Sequence, residues 1–250
     1  MARRSTSGPR AAPVDDRMTL IDHLTELRQR LVKSILAITV GAVLSFTQYN
    51  RFLHYMLGFY RDAVDDPAVT FKYFSPVEGI TTRLTVCSYG GFIVALPVVM
   101  WQLWRFIAPG LYGKEKRYAI PFVTSSVALF GFGAFIALWT LPQALGFLVS
   151  VSGNEVDTLF TATSFVKFVL FLVIAFGFSF EFPVVLVFLE LVGVLHWRQL
   201  LKVWRYAVVG VFVFAALATP SQDPYSLVGM ALPMVVFYFV SILIGRLVRR

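Results

Sequence analysis

Six long apolar runs alternate with polar segments along the chain, at about residues 31–49, 84–104, 118–141, 165–191, 205–218 and 226–245. A bilayer core about 30 Å thick takes about 20 apolar residues in helical form. Strands of a membrane barrel would be about ten residues long and alternate in polarity, and these runs do not alternate. The pattern therefore predicts an all-α, polytopic membrane protein with six transmembrane helices. The fourth run carries Pro183 and is long enough to bend there. The fifth is short and closes at Thr219–Pro220, so the fifth and sixth are expected to form a short hairpin that reaches only part of the way across. The opening segment "MARRSTSGPRAAPVDDRM" has no apolar periodicity. Residues 1–18 are expected to be a disordered, basic cytosolic extension, and residues 19–250 one membrane domain. The first run lies too far in for an ordinary signal peptide and is expected to remain as a span.

Composition agrees with this picture. Of the 250 residues, 58% are hydrophobic and only 14% charged, and the mean hydropathy is +0.74; soluble domains carry about a quarter charged residues. The net charge of +8 acts first as a topology signal. The N-terminal segment to Lys33, the 105–117 loop, the 198–205 segment and the C-terminal tail hold 17 of the 22 Lys and Arg residues. The 50–83 loop holds four, and the 142–162 and 219–225 loops hold none. The positive-inside rule then puts both termini in the cytoplasm. No Gly-rich phosphate loop occurs. Cys87 is the single cysteine, and His23, His54 and His196 lie far apart, so no metal site is expected.

Four places hold charge that needs a reason. "HLTELRQRL", His23 to Leu31, runs into the first span. Thr19 and Asp22 fit a capping box, and Leu20, Leu24, Leu27 and Leu31 recur at helical spacing. By pattern alone Glu26 reads as an i,i+4 partner of Arg30. "FIAPGLYGKEKR" follows the second span and carries one acid, Glu115, among Lys114, Lys116 and Arg117; it too reads as a local ion pair. Both cytosolic segments offer one carboxylate among basic neighbours beside the bilayer. Glu181, in "FGFSFEFPVV", lies near the middle of the fourth run. A charge there costs about 3 kcal/mol on insertion scales, so it is expected to face a cavity or a partner. Away from its ends, no other span carries an acid, base or His to continue a proton relay. Asp223, in "TPSQDPYS", reads as a turn residue and N-cap of the sixth span. "SPVEG", Ser75 to Gly79, reads as a turn and helix start inside a 50–83 loop that caps the span ends.

Together these stretches resemble the TatC family, the multispanning component of the twin-arginine protein translocase. "HLTELRQRL" resembles the family's H-x-x-E-L-R-x-R-L, "SPVEG" its S-P-x-E, and "FIAPGLYGKEKR" its F-[IV]-x-P-x-L-[YF]-x-x-E-[RK]-[RK]. "FEFPVVLVFL" resembles its F-E-x-P segment, and "TPSQDP" with "ALPM" its last hairpin. Each motif is weak alone; the five in order cover about residues 18–245. The resemblance implies a concave six-helix bundle in the bacterial plasma membrane, not an enzyme, with no cofactor and no nucleic acid. It implies recognition of signal peptides bearing paired arginines. It also implies work with single-span TatA and TatB partners, homo-oligomers within the complex, and export of folded proteins by the proton-motive force.

Residue by residue, the resemblance makes Glu26 and Glu115 acceptors for the signal's guanidinium groups. A carboxylate accepts two parallel N–H bonds from one guanidinium, which lysine does not reproduce. Arg28, Arg30, Lys114 and Lys116 would hold the acids ionised, and Phe106 and Leu111 would shape the apolar side. Glu181 would meet partner helices, and Pro76, Glu78 and Asp223 would be functional on the periplasmic face. The chain departs from the family at Leu227 and Phe239, where many members carry Gln and Glu, which leaves a partner set without a separate TatB open. A secondary transporter or channel for a small solute is the alternative, but the two halves show no internal repeat. An intramembrane enzyme lacks any nucleophile with a base at useful spacing.

Overall fold

A computed structural model describes residues 20–64, 69–107, 119–152 and 161–248. Among the described residues eight helices form: α1 (Leu20–Thr47), α2 (Tyr49–Val64), α3 (Glu78–Ile107), α4 (Ala119–Ser152), α5 (Ala162–Ser179), α6 (Phe182–Val192), α7 (Trp197–Ala218) and α8 (Pro224–Val248). Helices α5 and α6 together make the fourth span and α2 lies outside the spans, so the described residues hold six helical segments long and apolar enough to cross a membrane. The expected disorder of residues 1–18 and the capping role of Thr19 fall outside the described residues.

Each departure from the expected boundaries has a local cause. Helix α3 begins at Glu78, before the apolar run, because its polar first turns satisfy themselves. The hydroxyls of Thr81, Thr82 and Thr85 donate to the carbonyls of Val77, Glu78 and Thr81 at 2.8–3.0 Å. Helix α4 continues through Pro142 to Ser152; membrane helices tolerate the one backbone bond a proline removes. Helix α7 begins at Trp197, so the expected short fifth span is corrected to a 22-residue helix, about 33 Å at the standard rise. The basic residues that looked like a loop lie on it, with Arg198 and Arg205 over the rings of Trp197 and Trp204 at 5.2 and 5.6 Å. The apolar part of α7 remains the short stretch seen in the sequence.

The fourth span breaks one turn before its proline. Pro183 has no N–H to offer the carbonyl of Ser179. The chain instead tightens, with Glu181 N–H donating to Phe178 O at 3.0 Å, and α6 restarts with Val185 N–H on Glu181 O at 3.1 Å. Gly193 ends α6 in the left-handed region, φ 89°, where glycine carries no Cβ penalty.

The core forms around α5. Phe165, Val169, Leu172, Phe176 and Phe180 pack on Leu141 and Leu145 of α4 and on Met230 and Met234 of α8. Helix α2 lies across one end, where the Tyr60 ring stacks on Phe71 and meets Phe165, both at 5.4 Å. Helix α1 is the outlier. Only 6% of its apolar window is buried, against 61% for the fourth span, and it packs mainly on α3. Their seam is made of small residues. A Cβ on Gly91 would fall 2.6 Å from the Ala42 nitrogen, and one on Gly41 would fall 2.5 Å from the Gly91 carbonyl oxygen. Such close backbone approach is how membrane helices associate without a hydrophobic driving force. The starts of α1, α4 and α7 and the ends of α3, α6 and α8 gather at one end, the terminal end; α2 lies at the opposite end.

Candidate functional site

At the terminal end, the first turns of α1 pack on the last turn of α3. The Leu24, Leu27 and Leu31 stripe faces outward and is 42–62% exposed, as suits a helix lying against lipid. Its other side carries the chemistry. The His23 ring stacks on Phe106 with centroids 4.4 Å apart and planes 18° from parallel. One turn on, Arg30 donates from Nε to Glu26 Oε1 at 3.0 Å, and from Nη2 to the same oxygen. The i,i+4 pairing expected from the sequence is therefore formed. The second oxygen, Oε2, is buried and has no hydrogen-bond partner among the described residues. Arg28 is exposed on the same helix. Glu26 and Arg30 thus come together, and Phe106 stacks on His23 one turn earlier, whereas Glu115 and Leu111 lie outside the described residues.

Glu181 sits at the α5–α6 break and lines a pocket of about 510 Å³ with Phe178, Phe182, Val211, Phe214 and Met234. The expectation that it faces a concavity is met, though the walls are mostly apolar. Across the helix interface it meets the Ser126 hydroxyl, which itself accepts from Trp104 Nε1 at 2.9 Å. Its Oε1 is buried with no hydrogen-bond partner among the described residues.

Asp223 and Glu78, at the opposite end, are spent on the fold. Asp223 is fully buried; Oδ1 accepts from Ser226 N–H at 2.7 Å and Oδ2 from the Ser221 hydroxyl. With Pro224 as the first helical residue, this is the N-cap of α8. Gln222, just before it, takes φ 48° to make the turn. Glu78 reaches back to accept from Phe74 N–H at 2.6 Å, while Ser75 Oγ receives Val77 N–H at 3.4 Å. Pro76 lies exposed between them. The Glu78 carbonyl takes further bonds from Thr82 and from Thr163 of α5, and those two hydroxyls pair at 2.5 Å. Nearby, Arg83 lies over the Phe46 and Tyr49 rings at 5.2 and 4.6 Å, and burial beside Tyr73 pushes the Tyr49 hydroxyl up.

One acid escaped the sequence reasoning. Glu190 of α6 is 2% exposed and packs against Gly245 of α8, where a Cβ would fall 2.4 Å from its Oε2. Nine residues after Glu181, it projects from the opposite helix face, about 13 Å along the axis at the standard rise. The signal was available, a lone acid in "FPVVLVFLELV", but Gly245, the residue that accommodates it, lies on another span.

Comparison with known proteins places this architecture. The family model described as "Sec-independent protein translocase protein (TatC)" matches residues 22–233. The Sec-independent protein translocase protein TatC of Aquifex aeolicus is 37% identical over 238 residues, covering 93% of this chain and 97% of that one. That of Frankia casuarinae is 35% identical over 245 residues, covering 93% of this chain and 67% of its own. A crystal structure of the twin arginine translocase receptor TatC matches with a TM-score of 0.73 at 36% identity, over 91% of this chain and 100% of that one. With six spans, the described motifs and near full-length matches in agreement, this chain belongs to the TatC family of Sec-independent protein translocase proteins.

Proposed function

We infer that this protein is the signal-peptide receptor of a twin-arginine translocase, and that Glu26 and Glu115 accept the paired arginines. The observation that carries the reading is the state of Glu26. It is a partly buried carboxylate at the bilayer edge with one oxygen short of donors, beside the His23–Phe106 stack. Exposed ion pairs contribute only about 0–1 kcal/mol. Recognition gains from partial desolvation, from two simultaneous guanidinium pairs, and from burial of the signal's apolar segment in the bilayer. Leu111 and Phe106 supply apolar contact, and Arg28 belongs to the basic surround of the site. Single-span TatA- and TatB-type partners join through the Glu181 pocket, copies of this chain assemble together, and the proton-motive force drives export of folded cargo. The protein has no catalytic residues of its own. It sits in the bacterial plasma membrane with both termini cytoplasmic, as the basic residues of the terminal end require.

The direct test measures binding of a synthetic twin-arginine signal peptide to the full chain in detergent. Glu26→Ala and Glu115→Ala should each weaken it, with thermal stability checked alongside. Unchanged affinity in the double variant overturns the site. Reporter fusions after Arg117 and Arg250 should be cytosolic and one after Asn154 external; an external Arg117 fusion overturns the orientation.

A further inference from the structure

One oxygen of Glu26 is already taken, and the other is buried and unserved among the described residues. Oε1 already receives two N–H groups from Arg30, and Oε2 is buried without a hydrogen-bond partner among the described residues. The pair is not a loose surface contact, since the side chains of Arg30 and Glu26 are only 15% and 21% exposed. A guanidinium arriving from a signal peptide therefore meets an acceptor that already holds a guanidinium.

We propose that Arg30 is an internal stand-in for the ligand's arginine, displaced on binding, and that this exchange sets the preference for arginine over lysine. The inference rests on the proposed role of Glu26 as acceptor. Arg30 is tethered one helical turn from Glu26 and reaches a single oxygen with two donors. A ligand guanidinium has no such tether. It engages both oxygens side by side, the geometry that charge-assisted fork pairs favour, and so satisfies Oε2 as well. Exchange of arginine for arginine thus keeps two bonds and serves the oxygen that Arg30 leaves without a donor. An ammonium is a compact, strongly hydrated point donor and does not rebuild the fork. Displacing Arg30 with lysine loses paired bonds, and the tether keeps Arg30 at high local concentration to return. A bare carboxylate would take either cation; one that is already occupied selects the cation able to replace what it holds.

The test compares two synthetic signal peptides, one with the arginine pair and one with lysines in its place, on the purified full chain in detergent. In Arg30→Gln, both should bind more tightly and the lysine peptide should gain more. The arginine-to-lysine affinity ratio should shrink about three- to tenfold, the range one such hydrogen bond commands. Arg30→Lys, which keeps the charge and loses the fork, should give an intermediate ratio and serves if the glutamine variant misfolds. Lys33→Gln removes the same charge about one turn away and should leave the ratio unchanged; if it shrinks the ratio as much as Arg30→Gln does, net charge is the cause and the exchange is overturned. An unchanged ratio in both Arg30 variants, with Glu26→Gln still weakening binding, overturns the stand-in and leaves the receptor reading intact. Unchanged binding in Glu26→Gln overturns both.

Discussion

Glu26 and Asp223, at opposite ends of the bundle, are used in opposite ways. At the end remote from the termini, Asp223 has both oxygens engaged, one by the first turn of α8 and one by Ser221. Glu78 closes the turn that starts α3. At the terminal end Glu26 keeps one buried oxygen short of donors, and so does Glu181 within the bilayer. Asp223, fully buried with both oxygens engaged inside the fold, offers little to a ligand. A carboxylate that is buried and under-supplied carries a standing desolvation cost that a new donor relieves. Pro76, Glu78 and Asp223 thus earn a structural account from their geometry, while the proposed binding chemistry lies at the other end.

The sharpest way to break this contrast is at the terminal end. Replacing Glu26 and Glu115 together by Gln keeps shape and removes charge assistance. Each lost pair of bonds to a charged group is worth about 1.5–3 kcal/mol. Signal-peptide affinity, measured by titration in detergent, should fall at least about a hundredfold. A drop of twofold or less would mean the under-supplied acid is not where the signal binds.

Next in size is the seam that positions Glu26. Gly91→Ala would set a Cβ against backbone atoms of Ala42 and Ile38 at 2.6–2.8 Å, and backbone cannot rotate away. Helix α1 has little other support, so it must shift, at a cost of about 1–3 kcal/mol. The expected result is weakened signal binding with the His23–Phe106 contact disturbed. A cysteine pair at those two positions should cross-link less readily than in the parent background. Unaltered cross-linking would mean the seam does not set the register of the site.

The opposite end should respond the other way. Asp223→Ala removes the α8 cap and strands the Ser226 N–H in a buried place, costing about 1–2 kcal/mol. Thermal unfolding in detergent should come at lower temperature, with signal affinity unchanged. If affinity falls while stability holds, Asp223 belongs to function and the division between the ends fails.

Much of this organisation can be read from the chain itself. The six spans follow from apolar runs, the Asp223 cap from an acid before a proline, and the Glu26–Arg30 pair from a separation of one helical turn. The boundaries of α3 and α7 are hidden because polar and basic residues continue a helix when their side chains fold back on it, as Thr82 does, or lie over rings, as Arg205 does. The lodging of Glu190 against Gly245 and the meeting of Gly41 with Gly91 join distant segments, and nothing local announces them. Whether a carboxylate oxygen is supplied or short depends on the neighbours that tertiary packing brings, so the contrast between the ends is visible only in three dimensions.

The smallest expected effect tests the acid between the two ends. Glu181 lines its pocket with a buried oxygen short of donors, and Ser126 is its polar neighbour. Two roles suit such a group. It is either a local polar feature that offers partner helices a hydrogen bond, or a carrier that takes up and releases a proton in each cycle. Glu190, the second acid of the same span, does not extend a path from it, because it points from the opposite face and is enclosed against Gly245. A relay needs stations that face one another, and these two do not. The local role is therefore the one expected. Glu181→Gln preserves hydrogen bonding and removes titration, so export of a folded twin-arginine reporter should stay near the parent rate. Glu181→Leu, which removes both, should lower export and weaken partner cross-linking at the pocket. Loss of export in Glu181→Gln, with assembly and signal binding intact, would establish the carrier role and move the proton chemistry of the translocase to this residue.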